Sequence, residues 1–388
     1  MNLQELQREA QSIAPWITET RRALHRVPEA GFAEYKTQKL IAQKLDELGI
    51  PYTTERTWIV AQIDGALPGK TVALRADIDA LPVDEPDTCP FHSEHEGWMH
   101  ACGHDAHAAI LLGAAKMLMG HRDHLRGSVR LLFQPAEETV GGAEPMVAAG
   151  VLDGVGAVYG LHVQPYMNVG QIDTRPGTLN ASTDELVLTI RGVSGHAARP
   201  EQGVDAIVCA GHLIAALQTI VSRSTSPLKP AVVSFGTIHG GTAQNVICGE
   251  VVMSGTLRTV DPELRETLQR RVKEIAAGIA ATFGAEIEVT VFPGYAPLVN
   301  DPAETDRVLR LAREMVGESN VFIRTDPSMG GEDFAYFNQK VPGAYYHIGC
   351  ATEQPAAALH SREFTVDERC LPLGAAMHCA IAFDYLEE

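Results

Sequence analysis

The sequence predicts an α/β protein in which a mostly parallel-sheet catalytic domain, with helices on both faces, is interrupted by an inserted ferredoxin-like α+β domain. Three observations carry this reading. Short β-rich runs alternate with helical ones through the first half of the chain. Residues able to do chemistry come directly after those β-rich runs, where open α/β sheets place their sites. From about residue 184 to 293 the rhythm changes to β-α-β-β-α-β.

Taken in order, apolar spacing is helical from Leu3 to Leu48, with a break at His25-Arg26-Val27-Pro28-Glu29. Strands are expected at Thr71–Ala76, Ser128–Gln134 and Ala157–Val163, and helices at Ala106–Met119 and Ala143–Ala149. Asp77 and Asp79 come after the first strand, Glu137 and Glu138 after the second, and His162 at the end of the third. The inserted domain reads as strand Leu186–Arg191, helix Val204–Val221, strands Ala231–Ile238 and Val246–Arg258, helix Pro262–Phe283 and strand Glu286–Phe292. Signals of the α/β kind resume at Asp301 and close with Leu371–Tyr385, which gives the domains as 1–183, 184–296 and 297–388. A chain of 388 residues suits two domains.

Composition narrows the partners. With 49 acidic against 31 basic residues the formal charge is −18, which opposes nucleic acid and anionic membrane. The amino terminus lacks a basic region followed by an apolar stretch, and a cytoplasmic protein is expected. Seven scattered cysteines fit a reducing compartment, and of these only Cys102 has polar company.

That company is the strongest chemical signal. Cys102 lies in Met99–His107, two residues before His104 and about thirty-five before the pair Glu137-Glu138. A thiolate and an imidazole two residues apart can face one metal ion, and adjacent carboxylates can divide the work, one on metal and one moving protons. A structural zinc knot is the bland alternative, but it would usually close with Cys-x-x-Cys spacing, which is absent. Asp79 is expected to orient a ligand and Asp77 could equally form a turn. His107, one helical turn past His104, reads as a satisfied helix histidine more readily than as a ligand. The remaining histidines (His92, His95, His121, His124, His212, His239, His347 and His378) lack acidic or thiol partners at ligand spacing and read as surface or core residues.

Nearly the whole chain resembles the aminoacylase and carboxypeptidase metallopeptidases, in the branch of hippurate hydrolase and the hydrolases of N-acyl and auxin amino-acid conjugates. The resemblance rests on Leu24–Glu29 with Gly31-Phe32, Leu74–Pro82, Met99–His107, Phe133–Glu138, Gly160-Leu161-His162, Ser194–Pro200, Gly241–Ile247, Gly331–Phe334 and Leu359-His360-Ser361. It implies two divalent metal ions per subunit (Zn, Mn, Co or Ni), held by Cys102, His104, Glu138, His162 and His360, with Glu137 as general base. It also implies that the ferredoxin-like domain is a lid through which a homodimer forms, and that His196 reaches the partner subunit's site and donates to the oxyanion. Asn245 and Arg258 match positions that bind the oxyanion and the substrate's free carboxylate, and Gly331 sits in a turn expected to let backbone approach substrate.

Cys102 as a bridge favours zinc, cobalt or nickel over magnesium, since thiolate is a soft ligand. The sequence departs from the family at Cys248 and Arg362, where the branch has proline, and both flank the substrate region. Pocket walls are expected to include Val299-Asn300 and Cys350–Leu359. The activity expected is hydrolysis of hippurate-type N-acyl amino acids to a carboxylic acid and a free amino acid. The rivals are deacetylation of N-acetyl amino acids or N-acetyl-diaminopimelate, dipeptide cleavage, and a catalytically silent metal-binding dimerisation module.

Overall fold

A computed structural model describes residues 2–351 and 355–388. The chain divides into two compact units, residues 1–177 with 299–326 and 333–388, and residues 178–298 with 327–332. The second therefore begins before residue 184 and takes in a short later segment, because Ala181 donates its amide to the carbonyl oxygens of Ser328 and Gly330.

The first unit is built on an eight-stranded sheet. Four parallel strands form its centre in the order Arg126–Gln134, Leu67–Asp77, Ala157–Asn168 and Gly343–Ala351. The antiparallel hairpin of Tyr52–Glu55 and Trp58–Asp64 extends one side, and Ile172–Thr174 with Val321–Ile323 the other. The central strands are buried over most of their length, Leu67–Asp77 from Val72 onward, which is why they read as continuous apolar runs. Ala157–Asn168 runs past the expected end at Val163, so His162 lies in mid-strand rather than at the strand's end.

Helices Ala14–His25, His104–Gly120 and Leu371–Glu387 pack together in this unit, the last two buried along almost their whole length. The last two are apolar all round and meet through glycines. A Cβ on Gly113 would stand 3.2 Å from Ala375 Cβ, and one on Gly374 would stand 2.8 Å from Ile110 Cδ1. Each fully buried Leu or Ile in this layer contributes about 1.5–3 kcal/mol of transfer free energy.

The second unit has a four-stranded antiparallel sheet in the order Ala231–Gly240, Glu250–Thr259, Ser182–Arg191, Glu286–Pro293, the ferredoxin-like arrangement. Leu186, Leu188 and Ile190 alternate on one face, against Leu213 and Leu217 of helix Ala206–Ser224 and Leu268 and Val272 of helix Pro262–Phe283. Asp205 and Asp261 cap those helices, each accepting two backbone amides. The expected strand Val246–Arg258 is two pieces. Val246–Ile247 pairs with Gly195–His196, and the break falls at Gly249, where a Cβ would stand 2.4 Å from Ser194 Oγ.

Candidate metal centre

All of the expected metal ligands fall in the first unit, where backbone geometry turns them towards one another. Gly103 has φ +89°, open to glycine and strained for other residues, and it begins helix His104–Gly120. A Cβ there would stand 2.4 Å from Val163 Cγ2, so Cys102 and His104 are joined by the one residue type that fits. His360 has φ 64° and donates its amide to the Ala101 carbonyl at 2.8 Å, which hangs its loop on the Cys102 turn. Ala136, before the carboxylate pair, has φ 59°. A non-glycine residue in this region costs on the order of 1–3 kcal/mol, and such strain gathers at functional sites.

Hydrogen bonds set the histidine tautomers. His104 donates from Nδ1 to the Asp79 carbonyl at 3.0 Å and to Asp79 Oδ1 at 3.1 Å, which leaves Nε2 facing inwards. His162 donates from Nδ1 to the Val163 carbonyl at 2.7 Å, and its Nε2 stands 3.3 Å from Cys102 Sγ. The other Asp79 oxygen accepts the Glu138 amide at 2.9 Å, and Glu138 Oε1 lies 3.1 Å from His360 Nε2. Among the described residues His104 Nε2 is buried without a hydrogen-bond partner, and Glu138 Oε1, buried beside it at 3.8 Å, has the His360 imidazole as its neighbour. A buried ring nitrogen left this way beside a carboxylate fits a cation, since an unpaired buried polar atom is otherwise costly.

The donors form overlapping groups whose ligating atoms all lie within 4.8 Å of one another. Cys102 belongs to one group with His104 and His162 and to another with Glu138 and His360. That sharing suits a thiolate between two ions, given metal–ligand bonds of about 2.0–2.3 Å. Glu137, 8 % exposed, joins His104 and Glu138 in a third group.

The electrostatics agree. Burial and the Glu138 and Glu137 carboxylates push the Cys102 thiol well above its usual range. Burial would lower His104, but Asp77, Asp79 and Glu138 raise it to about 10. The carboxylates that cause both shifts, Asp77, Asp79, Glu137 and Glu138, concentrate negative charge, and a divalent cation is a group that balances it.

Asp77 and His107 are occupied otherwise. Asp77 Oδ1 accepts from His107 Nδ1 at 2.5 Å and Oδ2 from Arg75 at 2.6 Å, while His107 Nε2 accepts the Val163 amide at 2.9 Å. Both ring nitrogens of His107 are engaged, which makes it a brace for the strand of His162. Another metal-like group, His25, Glu85 and Cys89, is already balanced by ion pairs of His25 with Glu85 and with Asp105, both at 2.8 Å. Of the histidines expected to lack acidic partners, His92 stands 3.8 Å from Asp87, and two others have close partners far along the chain: His121 faces Glu9 at 2.6 Å and His347 faces Asp173 at 2.5 Å. Sequence spacing hid the partners of these two, which lie 112 and 174 residues away.

His196, Asn245, Arg258 and Gly331 belong to the second unit. His196 is exposed, accepts the Ala198 amide on Nδ1 at 3.0 Å and pairs in register with Val246, which brings Asn245 next to it. Arg258 lies on a different strand and donates to the Met329 carbonyl at 2.8 Å. Gly331 has a packing reason to be glycine, since a Cβ would stand 2.8 Å from Thr183 Cγ2. Cys248 donates to the Glu250 carbonyl at 2.9 Å. Arg362 lines a cavity of about 270 Å³ with Arg21, His25, Cys89, Phe91 and Phe364. Within Cys350–Leu359, residues 352–354 lie outside the described residues.

Residues 73–384 match the model of peptidase family M20/M25/M40. The chain belongs to that family. Relatives of this family M20 hydrolase include thermostable carboxypeptidase 2 of Saccharolobus solfataricus, 38% identical over 99% of this chain and 98% of the other. N-acetylcysteine deacetylase of Bacillus subtilis is 40% identical over 95% of this chain and 96% of its own. The Bacillus subtilis YXEP protein, solved as a dinuclear metal binding peptidase, superposes with a TM-score of 0.85 at 36% identity, covering 97% of this chain and 99% of that one.

Proposed function

We propose that the chain is a dinuclear metal amidohydrolase that cleaves N-acyl amino acids of the hippurate type. The observation that carries this reading is the convergence of buried ligand atoms, with His104 Nε2 lacking a hydrogen-bond partner among the described residues, around Cys102, Glu138 and the second carboxylate, Glu137. Cys102, His104, Glu138, His162 and His360 would hold two divalent ions, which supply an acidified water and polarise the amide carbonyl.

The protein's own groups do the rest. Glu137 takes a proton from the attacking water and delivers it to the amide nitrogen as the C–N bond breaks, giving a carboxylic acid and a free amine. Asp79 fixes His104 and Glu138 together through its two oxygens. His196 donates to the developing oxyanion of a partner subunit. Asn245 assists there, and Arg258, beside the Gly331 turn, takes the substrate carboxylate.

A second reading, deacetylation of N-acetyl amino acids, is favoured by the likeness to the N-acetylcysteine deacetylase. Release of amino acid from benzoyl-, acetyl- and indoleacetyl-glycine, -leucine and -phenylalanine separates the two. Hydrolysis of the benzoyl substrates, abolished by a chelator, supports the first reading, and activity confined to acetyl substrates replaces it with the second. Glu137→Gln is expected to lower kcat by about 10²–10⁴ with metal content unchanged. Unchanged turnover would sink the mechanism.

We also propose a homodimer through the second unit, in a reducing cytoplasm that suits seven free cysteines. Ala231–Gly240 is an edge strand carrying exposed Ile238, and helix Ala206–Ser224 exposes Ile207 and Val208. That helix is long and apolar enough to cross a membrane by length and composition, yet Cys209, Leu213, Leu217 and Ile220 are buried in the core of this unit.

A further inference from the structure

We infer that Glu34 is a positioning residue, whose carboxylate holds the Ala136 amide and thereby aims Glu137. The inference rests on the hydrolytic reading above for its effect on turnover. Glu34 is fully buried, and its Oε1 accepts the Ala136 N–H at 2.9 Å across 102 residues of sequence. Ala136 is the left-handed residue that immediately precedes Glu137. Its strained backbone needs something to hold it, and the Glu34 carboxylate is the side chain that does so.

The surrounding loop points the same way. A Cβ on Gly31 would stand 2.3 Å from Thr139 Oγ1 and 2.9 Å from Ala136 Cα, so Gly31 lies directly against the turn that carries Glu137 and Glu138. Phe32, next to it, is also left-handed, with φ 59°. Further back, the Glu29 carbonyl accepts the amide of Ala80, one residue past Asp79, at 2.9 Å. Glu29 in turn is anchored by its carboxylate, which accepts the amides of Lys36 and Thr37 at the start of helix Tyr35–Leu48. The segment Glu29–Glu34 thus braces both the turn that carries Glu137 and the strand exit that carries Asp79, the aspartate that orients two ligands.

Burial, opposed by the Thr57 hydroxyl, raises the Glu34 carboxyl to about 7. Whether protonated or ionised, the carboxyl keeps an oxygen that can accept the Ala136 amide. A neutral acceptor of the same shape should therefore serve, and glutamine is one.

The test compares Glu34→Ala, Glu34→Gln and Glu34→Asp in metal-loaded, full-length protein. Glu34→Ala is expected to lower kcat about 10- to 100-fold, with KM within about twofold and metal content unchanged. Glu34→Gln should recover kcat to within about threefold of wild type, whereas Glu34→Asp, which withdraws the oxygen by about one bond length, should not. Amide hydrogen exchange over residues 133–141 needs no substrate. It should show lost protection at Ala136 in Glu34→Ala and Glu34→Asp and retained protection in Glu34→Gln. If Glu34→Ala does not fold, the Gln and Asp variants carry the comparison. Unaltered Ala136 protection, kcat within twofold in Glu34→Ala, or a Glu34→Gln as impaired as its alanine counterpart would overturn the assignment. Absence of turnover in wild type alongside the expected exchange pattern would overturn the hydrolytic reading and leave the positioning of Ala136 standing.

Discussion

Asp79 divides its oxygens between His104 Nδ1 and the Glu138 amide, so one buried carboxylate sets the direction of two candidate ligands. Nothing in its sequence neighbourhood distinguishes it from Asp77, which instead serves Arg75 and His107. Cys102 is the residue with the most distinctive chemistry, because a ligating thiolate can be lost to oxidation. Peroxide treatment of metal-loaded protein in a Cys89→Ser background, where Cys102 is a ligating thiolate, should convert it to sulfinic acid, with loss of metal and of hydrolysis that a thiol reductant does not restore. Full metal content after oxidation, with the Cys102 peptide shown by mass spectrometry to be oxidised, would remove Cys102 from the ligand set. The Cys-x-His and Glu-Glu spacings are local and therefore legible in the sequence. The engaged state of His107 is not, since its partners Asp77 and Val163 come from two other strands.

At the scale of elements, the site depends on the turn at which each strand ends. Leu67–Asp77 and Arg126–Gln134 run parallel in register, Asp77 opposite Gln134, and their exits deliver Asp79 and Glu137-Glu138 side by side. Helix His104–Gly120 starts from Gly103 in the left-handed region. Gly103→Ala should destabilise the fold by roughly 1–3 kcal/mol and reduce metal content, as read by thermal unfolding and metal analysis. Gly97, also left-handed at φ +75° but with nothing near its Cβ, is the control, and its alanine variant should retain full metal content. Equal metal loss in both would show that backbone conformation, and not the contact with Val163, is the constraint. The hairpin Tyr52–Asp64 and the strand Gly343–Ala351 were not read from the sequence. The strand offered a continuous apolar run as a signal, which a buried helix segment would also give.

At the scale of the whole molecule, two properties can be measured directly. Burial disfavours charge on His25, yet Asp105 and Glu85 hold its pKa up at about 10, against 6.5 when unfolded. The folded state therefore keeps a proton that the unfolded state releases, and the stabilisation is complete below about pH 6.5 and lost as pH rises through 10. The melting temperature should fall by roughly 3 °C or more between pH 7 and 10, and His25→Gln should flatten that slope. An unchanged slope in the variant would show that another group titrates. For assembly, sedimentation should give a dimer for the wild type and a monomer for Ile238→Lys, with a wild-type monomer refuting the proposed interface.

The sequence by itself determined the alternation of strands and helices, the inserted β-α-β-β-α-β rhythm and the Cys102, His104 and Glu137-Glu138 spacings, because each depends on periodicity or on neighbours within a few residues. Only the tertiary structure decided which atoms face inwards. His104 Nε2 is turned to the centre because Asp79 takes Nδ1, and Ala136 is held by Glu34 from a loop 102 residues earlier. Such contacts close long stretches of chain, and no local pattern encodes them. They form because packing the parallel strands brings their carboxyl ends together, where a buried polar atom must find a partner or bind an ion.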